Sequence, residues 1–285
     1  MAWKLACAWA AVHAVSAYSP VDEATFDVGA VETRESVTDG FILTVDYFYK
    51  QRPISPWHDL PFSTRGNGGE ELLTFVCEIP LGAREKVEIH KSAKFNSLRQ
   101  DLHKDGSLRY YVYSDSIVNY GAISQTWEDP DFLDPDTHLG GDNDPVDVLQ
   151  LTMMPCVRGQ VQRVRVLGAL ALVDGGETDW KLLVVDADAG DAASKWRDVG
   201  DVPVARVNAV RDWFRLYKTA EGKPENEYGL GGRAVDREHA MRVAHQTHAH
   251  WRHFVDGQKP CDFDKNGPCW IGTEHDYADA ARPEL

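Results

Sequence analysis

The sequence lacks any apolar run of about 20 residues, the length that a membrane-spanning helix requires. It also lacks a basic excess, since 45 Asp and Glu residues against 30 Lys and Arg residues give a net charge of −15. A nucleic-acid-binding protein would need a basic face to neutralise phosphates. No motif for a Ser, Cys or His nucleophile is evident, which argues against covalent catalysis. A globular protein without a membrane span or a nucleic-acid partner remains. A phosphorylated substrate is still allowed, because bound divalent cations reverse the charge of acidic clusters.

The N-terminus has the features of a removable targeting segment over residues 1–17. Lys4 supplies a positive charge, an apolar stretch follows over 5–15, and Ser16-Ala17 places small residues at a cleavage site. This pattern predicts entry to the secretory pathway, with the ER or secretion as the destination. A bipartite leader into an algal plastid and a buried N-terminal helix stay open as alternatives. The acidic, weakly periodic residues 18–40 that follow are interpreted as a linker.

Five cysteines are present, which is few for a disulfide scaffold. Cys77 and Cys156 lie in apolar, strand-like segments, and we predict that they are core residues rather than partners. Cys261 and Cys269 flank a short loop with Gly and Pro in a C-terminal tail, 256–285, that has no periodicity. In an oxidising compartment these two could form a local disulfide, and the sequence leaves that question open.

Between residues 41 and 255, short β-type runs precede two helical patterns. The runs rich in Val, Leu, Ile and Tyr that predict strands are 72–77, 87–89, 108–112, 145–151, 160–173 and 181–185. Apolar residues at spacings of three and four predict helices over 205–217 and 233–254. The fold class is therefore predicted to be α+β, mainly β, with a small, strongly curved barrel and helices packed outside it.

The most informative motif is an acidic turn that carries Asp142, Asp144 and Asp147. Glycines precede these three carboxylates, Asn143 and Pro145 favour a turn between them, and an apolar strand follows. Carboxylates that repel one another need a counter-ion, and oxygen-only ligands select hard cations such as Mg²⁺ or Mn²⁺. Alone, such a turn is more often a solvated loop or a structural calcium site.

Neighbouring segments add groups of both charges and favour a functional interpretation. The additional acidic groups are Glu78, Glu88, Asp174 and Asp179, and the basic or phenolic groups are Lys86, Arg109, Tyr120, Lys181, Tyr217 and Lys218. Lys86 and Glu88 are two residues apart in a predicted strand, so their side chains share a face. Each group alone would be an ordinary turn or surface charge, and only their joint occurrence points to an anion-binding metal site.

These motifs, in this order, resemble those of the family I soluble inorganic pyrophosphatases of the eukaryotic type. The family signature D-x-D-P-x-D-V stands at 142–148, and further matching segments are 119–122, 125–130, 176–181, 213–218 and 222–226. The resemblance covers roughly residues 41–254. It implies a closed OB-like barrel, with 41–255 as the catalytic domain, and a homo-oligomer that in this family is cytoplasmic by default.

The resemblance also implies the activity and its residues. The expected reaction is Mg²⁺-dependent hydrolysis of pyrophosphate to two phosphates by a metal-activated water, with Mn²⁺ or other divalent ions as possible substitutes. Asp144 would be the general base, with Tyr120, Lys86 and Arg109 as further catalytic groups. The implied metal ligands are Glu78, Glu88, Asp142, Asp144, Asp147, Asp174 and Asp179. The implied substrate-binding residues are Lys86, Arg109, Tyr120, Lys181, Tyr217 and Lys218.

One departure from the family pattern affects the expected site. The family carries a second tyrosine four residues before Tyr120, where this chain has Ser116, and the segment 113–118 is shortened. A catalytically weakened protein that still binds metal and anion is therefore the main alternative to an active enzyme. A secreted protein whose acidic turns bind structural calcium is the second alternative.

Overall fold

The computed structural model describes residues 21–259, 269–273 and 276–277. The targeting segment predicted at 1–17 and the cysteine at 261 lie outside these residues. Cys269 takes part in a disulfide. Within the described part of the chain, no helix has both the length and the apolar character needed to cross a membrane.

The described residues are mainly β-strand, with two α-helices late in the chain. The strands are β1 (Val31–Thr38), β2 (Ile42–Tyr49), β3 (Arg52–Ile54), β4 (Ser63–Arg65), β5 (Glu71–Ile79), β6 (Val87–Ile89), β7 (Leu98–Gln100), β8 (Asn119–Ile123), β9 (Asp147–Gln150), β10 (Val161–Asp174), β11 (Glu177–Asp186) and β12 (Glu227–Tyr228). The helices are α1 (Val204–Leu216) and α2 (Arg237–Val255). The α+β, mainly β fold class is confirmed.

Five strands form a closed ring. β5 pairs with β8, β8 with β9, β9 with β11 and β11 with β10, and β10 pairs back onto β5. All of these pairs are antiparallel except β9 with β11. Gly121 of β8 permits close packing in this ring, because a Cβ there would lie 1.9 Å from the Val76 carbonyl oxygen. The ring is OB-like without being a strict barrel.

A second sheet and the long helix complete the described core. β1, β2, β7 and β6 form this sheet in that order, with β3 paired to β2. Ala240, Val243 and Ala244 of α2 pack into the same apolar cluster as Val164 and Val166 of β10. The helix therefore lies outside the ring, as the pattern of the sequence predicts.

Part of the predicted acidic linker over 18–40 is a strand. β1 pairs with β2 over eight residues, from Val31 opposite Tyr49 to Thr38 opposite Ile42. The side chains from Glu32 onwards are exposed, so this strand is held by backbone pairing and shows no apolar alternation. The linker interpretation is wrong for β1, because a polar edge strand has the composition of a linker.

The strand predicted over 108–112 is also wrong. This segment is irregular and makes isolated bridges, Glu85 with Tyr110 and Leu102 with Leu108. Arg109 is still fixed on both sides: its N–H donates to the Asp101 carbonyl at 2.9 Å, and its carbonyl accepts from the Lys86 N–H at 3.1 Å. Single bridges to two different segments replace a continuous ladder.

Cys77 and Cys156 form a disulfide, which corrects the prediction that they are unpaired core residues. Both are buried, as predicted, and their Cα atoms are 6.7 Å apart across 79 residues of sequence. The reason is the loop before β10, which lies beside β5: the Cys77 N–H donates to the Gln160 carbonyl at 2.9 Å, and the Gly159 N–H donates to the Cys77 carbonyl at 2.7 Å. Sequence alone does not show that this loop returns to β5.

The tail after α2 packs back onto the domain where it is described. The Trp270 N–H donates to the Lys91 carbonyl at 2.8 Å, and the Tyr277 hydroxyl donates to Asp59 at 2.7 Å. The Phe95 ring contacts both aromatic rings edge-on, with centroids 5.0 and 5.4 Å away. These contacts join the end of the chain to the segment that follows β6.

Candidate active site

One cavity of about 290 Å³ collects all of the site residues predicted from the sequence. These thirteen residues are Glu78, Lys86, Glu88, Arg109, Tyr120, Asp142, Asp144, Asp147, Asp174, Asp179, Lys181, Tyr217 and Lys218. They come from β5, β6, β8, β9, the β10–β11 hairpin, the end of α1 and the irregular segments between these elements. The fold therefore brings together groups that are as far as 140 residues apart in the sequence.

The acidic turn before β9 is held by its backbone. The Asp144 N–H donates to a carboxylate oxygen of Asp142 at 3.0 Å, and the Asn143 N–H donates to the Glu128 carbonyl at 3.0 Å. Asn143 has a φ of +70°, which Asn tolerates better than most residues. Gly141 is required here, because a Cβ would lie 2.4 Å from the backbone carbonyl carbon of Glu128. These contacts fix the backbone from which the carboxylates of the turn project into the cavity.

The carboxylates of the cavity repel one another. Burial raises the pKa of Asp147 from 3.8 to about 8, although Lys181 acts in the opposite direction. Burial, followed by the charge of Asp179, raises the pKa of Asp142 well above its usual range. Burial and the charge of Glu88 do the same to the pKa of Glu78. Their ionised forms are costly without additional positive charge, so the site favours cations.

Most of the cationic side chains that face the cavity are already paired with carboxylates. The Lys181 ammonium contacts both Asp179, at 2.5 Å, and Asp147. Lys86 pairs with Glu88, and Lys218 pairs with Asp174. Arg109 pairs with Asp101, which does not line the cavity. If these carboxylates bound metal instead, the three lysines would be free to bind an anionic ligand.

Glu128 belongs to the site although no role was predicted for it. Ligand atoms of Glu128, Asp142 and Asp179 lie within 4.8 Å of one another. One Glu128 oxygen accepts the Trp180 N–H at 3.0 Å, while Oε2 is buried without a hydrogen-bond partner. An oxygen-only cluster with an orphaned buried oxygen fits a hard divalent cation. The segment 125–130 was recognised as a motif, but no pattern marked which of its two acids faces inward.

Phenol groups and further cations also line the cavity. The Tyr120 hydroxyl donates to Asp147 at 2.6 Å, and its ring stacks on Phe214 with centroids 6.1 Å apart. Tyr111 and Lys223 also line this cavity. Tyr111 lies in the predicted strand 108–112 and Lys223 in the matching segment 222–226, and neither pattern assigns the residue a role in the site. Ser116 does not line it: this serine is buried, and its hydroxyl donates to the Val118 carbonyl at 2.7 Å.

The arrangement of charged groups in the cavity indicates the kind of ligand that the site binds. Convergent carboxylates beside lysine, arginine and phenol groups in a small cavity form a metal-binding site for a small polyanion. Comparison with known proteins shows which family of polyanion-binding metalloproteins the chain resembles.

A family model described as inorganic pyrophosphatase matches residues 75–252. The inorganic pyrophosphatase of Zygosaccharomyces bailii is 40% identical over 214 residues, which are 73% of this chain and 73% of that protein. The type I inorganic pyrophosphatase structure of Toxoplasma gondii has a TM-score of 0.73 and 36% identity, covering 79% of this chain and 99% of that one. An N-terminally truncated Trypanosoma cruzi vacuolar soluble pyrophosphatase, solved in complex with PPi, has a TM-score of 0.72 and 30% identity, covering 89% and 99%. The chain belongs to the inorganic pyrophosphatase family, hydrolases that act on the diphosphate bond.

Proposed function

We propose that this chain hydrolyses inorganic pyrophosphate to two phosphates, with magnesium as its cofactor, in the cavity described above. The observation that carries this proposal is the charge of the cavity lining. Within the described residues, seven carboxylates and five cationic side chains share about 290 Å³. Because the carboxylates are in excess, they would repel a pyrophosphate anion unless divalent cations entered with it.

The residues present fit a magnesium cofactor. The proposed ligands, directly or through water, are the carboxylates of Glu78, Glu88, Asp142, Asp144, Asp147, Asp174 and Asp179. Glu128 lies beside two of them, since its ligand atom is within 4.8 Å of those of Asp142 and Asp179. Magnesium, when bound, lowers the pKa of a water molecule and neutralises charge on the leaving phosphate. Mn²⁺, which also prefers oxygen ligands, is a possible substitute.

The chain's own side chains hold the substrate and move the proton. Lys86, Lys181 and Lys218 each exchange a carboxylate partner for a phosphate oxygen, and Arg109 and Tyr217 complete the binding of the two phosphoryl groups. Tyr120 is held by Asp147 and positions the substrate. Direct attack by a metal-activated water needs no phosphoenzyme, and no Ser, Cys or His belongs to the described cavity lining.

Asp144 is the proposed general base toward the attacking water. Its side chain is 51% exposed, and Lys91 fixes it: the Lys91 ammonium lies 2.5 Å from an Asp144 oxygen and donates to the Asn143 carbonyl at 2.8 Å. A carboxylate that is held in place yet open to the cavity can accept a proton without rearranging.

Phosphate release from pyrophosphate by residues 18–285 is the direct test. We expect rapid release with Mg²⁺ and none with excess chelator. A folded protein that binds pyrophosphate with Mg²⁺ but releases no phosphate would support the alternative, a binding protein without turnover.

The role of Asp144 has a separate test. Asp144→Asn should lower kcat by about 10²- to 10⁴-fold, the usual contribution of a positioned base, with little change in thermal stability. Asp115→Asn is the matched control, since Asp115 is exposed and pairs with Arg84 outside the cavity. Equal kcat for Asp144→Asn and wild type at saturating Mg²⁺ would refute the assignment.

The proposal includes a secreted or ER location, with the removable segment at 1–17. The Cys77–Cys156 disulfide supports it, because disulfides persist in oxidising compartments. N-terminal sequencing of the protein purified from its own cells should begin near Tyr18. An N-terminus that still contains residues 1–17 would contradict the proposal.

A homo-oligomer is proposed from the family resemblance alone. Light scattering on the purified protein should give a multiple of the chain's mass, and a mass equal to one chain would contradict it.

A further inference from the structure

Tyr111 lies in the wall of the catalytic cavity, although nothing in the sequence marked it. Its side chain is 3% exposed, and its N–H donates to the Arg84 carbonyl at 2.8 Å. The ring meets Trp213 and Tyr217 edge-on, with centroids 5.1 and 5.8 Å away and interplanar angles of 84° and 89°. Two aromatic neighbours therefore fix the ring in one orientation, and Tyr111 lines the cavity together with Tyr217 and Tyr120.

The hydroxyl of this tyrosine is available to a ligand. Among the described residues it has no hydrogen-bond partner, whereas the Tyr120 hydroxyl already donates to Asp147. Burial, followed by the charges of Glu88 and Asp147, holds the pKa of Tyr111 well above its usual range. The phenol therefore keeps its proton and acts as a hydrogen-bond donor. The Tyr111 hydroxyl is not among the fully buried polar atoms without a partner, and the cavity residues Glu88, Asp147 and Lys181 all act on its pKa, so a ligand can reach it from the cavity.

We propose that Tyr111 is a substrate-binding residue whose hydroxyl donates a hydrogen bond to a phosphate oxygen of the bound pyrophosphate. This inference rests on the proposed function of the cavity and adds a donor to it. The serine at 116 cannot fill that role, because its hydroxyl is used by the Val118 carbonyl. Tyr111 brings a phenol into the cavity from five residues upstream, on the irregular segment that also carries Arg109.

A purely structural Tyr111 would behave differently. If the ring only filled space between Trp213 and Tyr217, phenylalanine would replace it without loss, because the edge-on contacts involve ring atoms. Removing the hydroxyl alone therefore separates the two roles.

The experiment compares Tyr111→Phe with Tyr113→Phe. Tyr113 is the matched control, since its ring also meets Trp213 edge-on, at 6.3 Å, but it is 42% exposed and does not line the cavity. We expect Tyr111→Phe to lower kcat/KM for pyrophosphate by about tenfold or more, the effect of losing one hydrogen bond to a charged group. Inorganic phosphate, titrated in the presence of Mg²⁺, should bind more weakly by a similar factor. Tyr113→Phe should match wild type in both measurements, and both variants should keep the wild-type melting temperature.

The outcomes separate this inference from the proposed function. A kcat/KM within twofold of wild type, together with unchanged phosphate affinity, would overturn the role of Tyr111. If the wild-type protein released no phosphate, the proposed function would fail, and Tyr111 would be judged by phosphate binding alone. Equal phosphate affinities for wild type and Tyr111→Phe would then overturn the inference as well.

Discussion

The stability of the metal-free protein should fall as the pH rises from 5 to 7. The perturbation is removal of divalent cations with a chelator, which leaves the cavity carboxylates facing one another. Asp147 has a pKa raised from 3.8 to about 8 in the folded chain, mainly by burial. A raised acid pKa means that the folded state binds more protons than the unfolded state between these two values. The stabilisation from this group is complete below pH 3.8 and is lost as the pH rises through about 8.

The magnitude follows from proton linkage. One carboxylate that stays protonated in the folded chain and ionises in the unfolded chain lowers the free energy of unfolding by about 1.4 kcal/mol per pH unit. Between pH 5 and 7, Asp147 alone should therefore cost about 2.7 kcal/mol. Asp142, Glu78 and Glu128, whose pKa values are also raised by burial, act in the same direction. His58, whose pKa burial lowers from 6.5 to about 3, acts in the opposite direction up to pH 6.5 and offsets about one of these groups.

The assay is urea unfolding at pH 5, 6 and 7, with chelator and with saturating Mg²⁺. Because a bound cation favours the ionised carboxylates, the stabilisation by Mg²⁺ should increase over the same pH range. Asp147→Asn should make the chelator series flatter by about 1.4 kcal/mol per pH unit, while Asp115→Asn should leave it unchanged. A free energy of unfolding that is constant or rises with pH in chelator would refute the reasoning.

Three further predictions concern single contacts. Lys181→Met should lower kcat/KM by about 10²- to 10³-fold in the phosphate-release assay, because it removes the buried ammonium that is proposed to bind a phosphate oxygen; activity within tenfold of wild type would contradict that role. Replacing both Cys77 and Cys156 by serine should lower the free energy of unfolding by about 2–5 kcal/mol in denaturant titrations, and equal stability would show that the disulfide is not formed in solution. Deleting residues 269–285 should lower kcat by about fivefold to tenfold, since it removes the hydrogen bonds and ring contacts by which Trp270 and Tyr277 hold the Lys91 segment. Lys91→Met should produce the same loss, and a double variant in which the two losses multiply would contradict a shared path through Lys91.

The residues that the sequence singled out all line one cavity, whereas the edges of the fold were predicted less well. Asp142, Asp144 and Asp147 are close in sequence, and Asn143 and Pro145 favour a turn among them, so a local pattern was enough to mark them. Runs rich in Val, Leu and Ile likewise marked β6 and β10 nearly to the residue, because most of the side chains in these two strands are buried.

The features that the sequence did not predict depend on contacts between residues that are distant in the chain. β1 has exposed side chains and is defined by its backbone pairing with β2, which composition does not show. Cys77 and Cys156 are neighbours only because the loop before β10 returns to β5. Tyr111 was counted as part of a strand, and its contact with Trp213 spans more than 100 residues. Local patterns carry no information on such contacts.

The docking of the tail has a consequence for the order in which the molecule is made. Trp270 and Tyr277 bind the Lys91 segment and Asp59, and the Tyr277 contact closes a loop of 218 residues. On the ribosome these two residues appear after all twelve described strands and both described helices, so the tail can brace the Lys91 segment only after those elements have emerged. The nascent domain can thus form its ring of strands well before the segment that contacts Asp144 is braced by the tail.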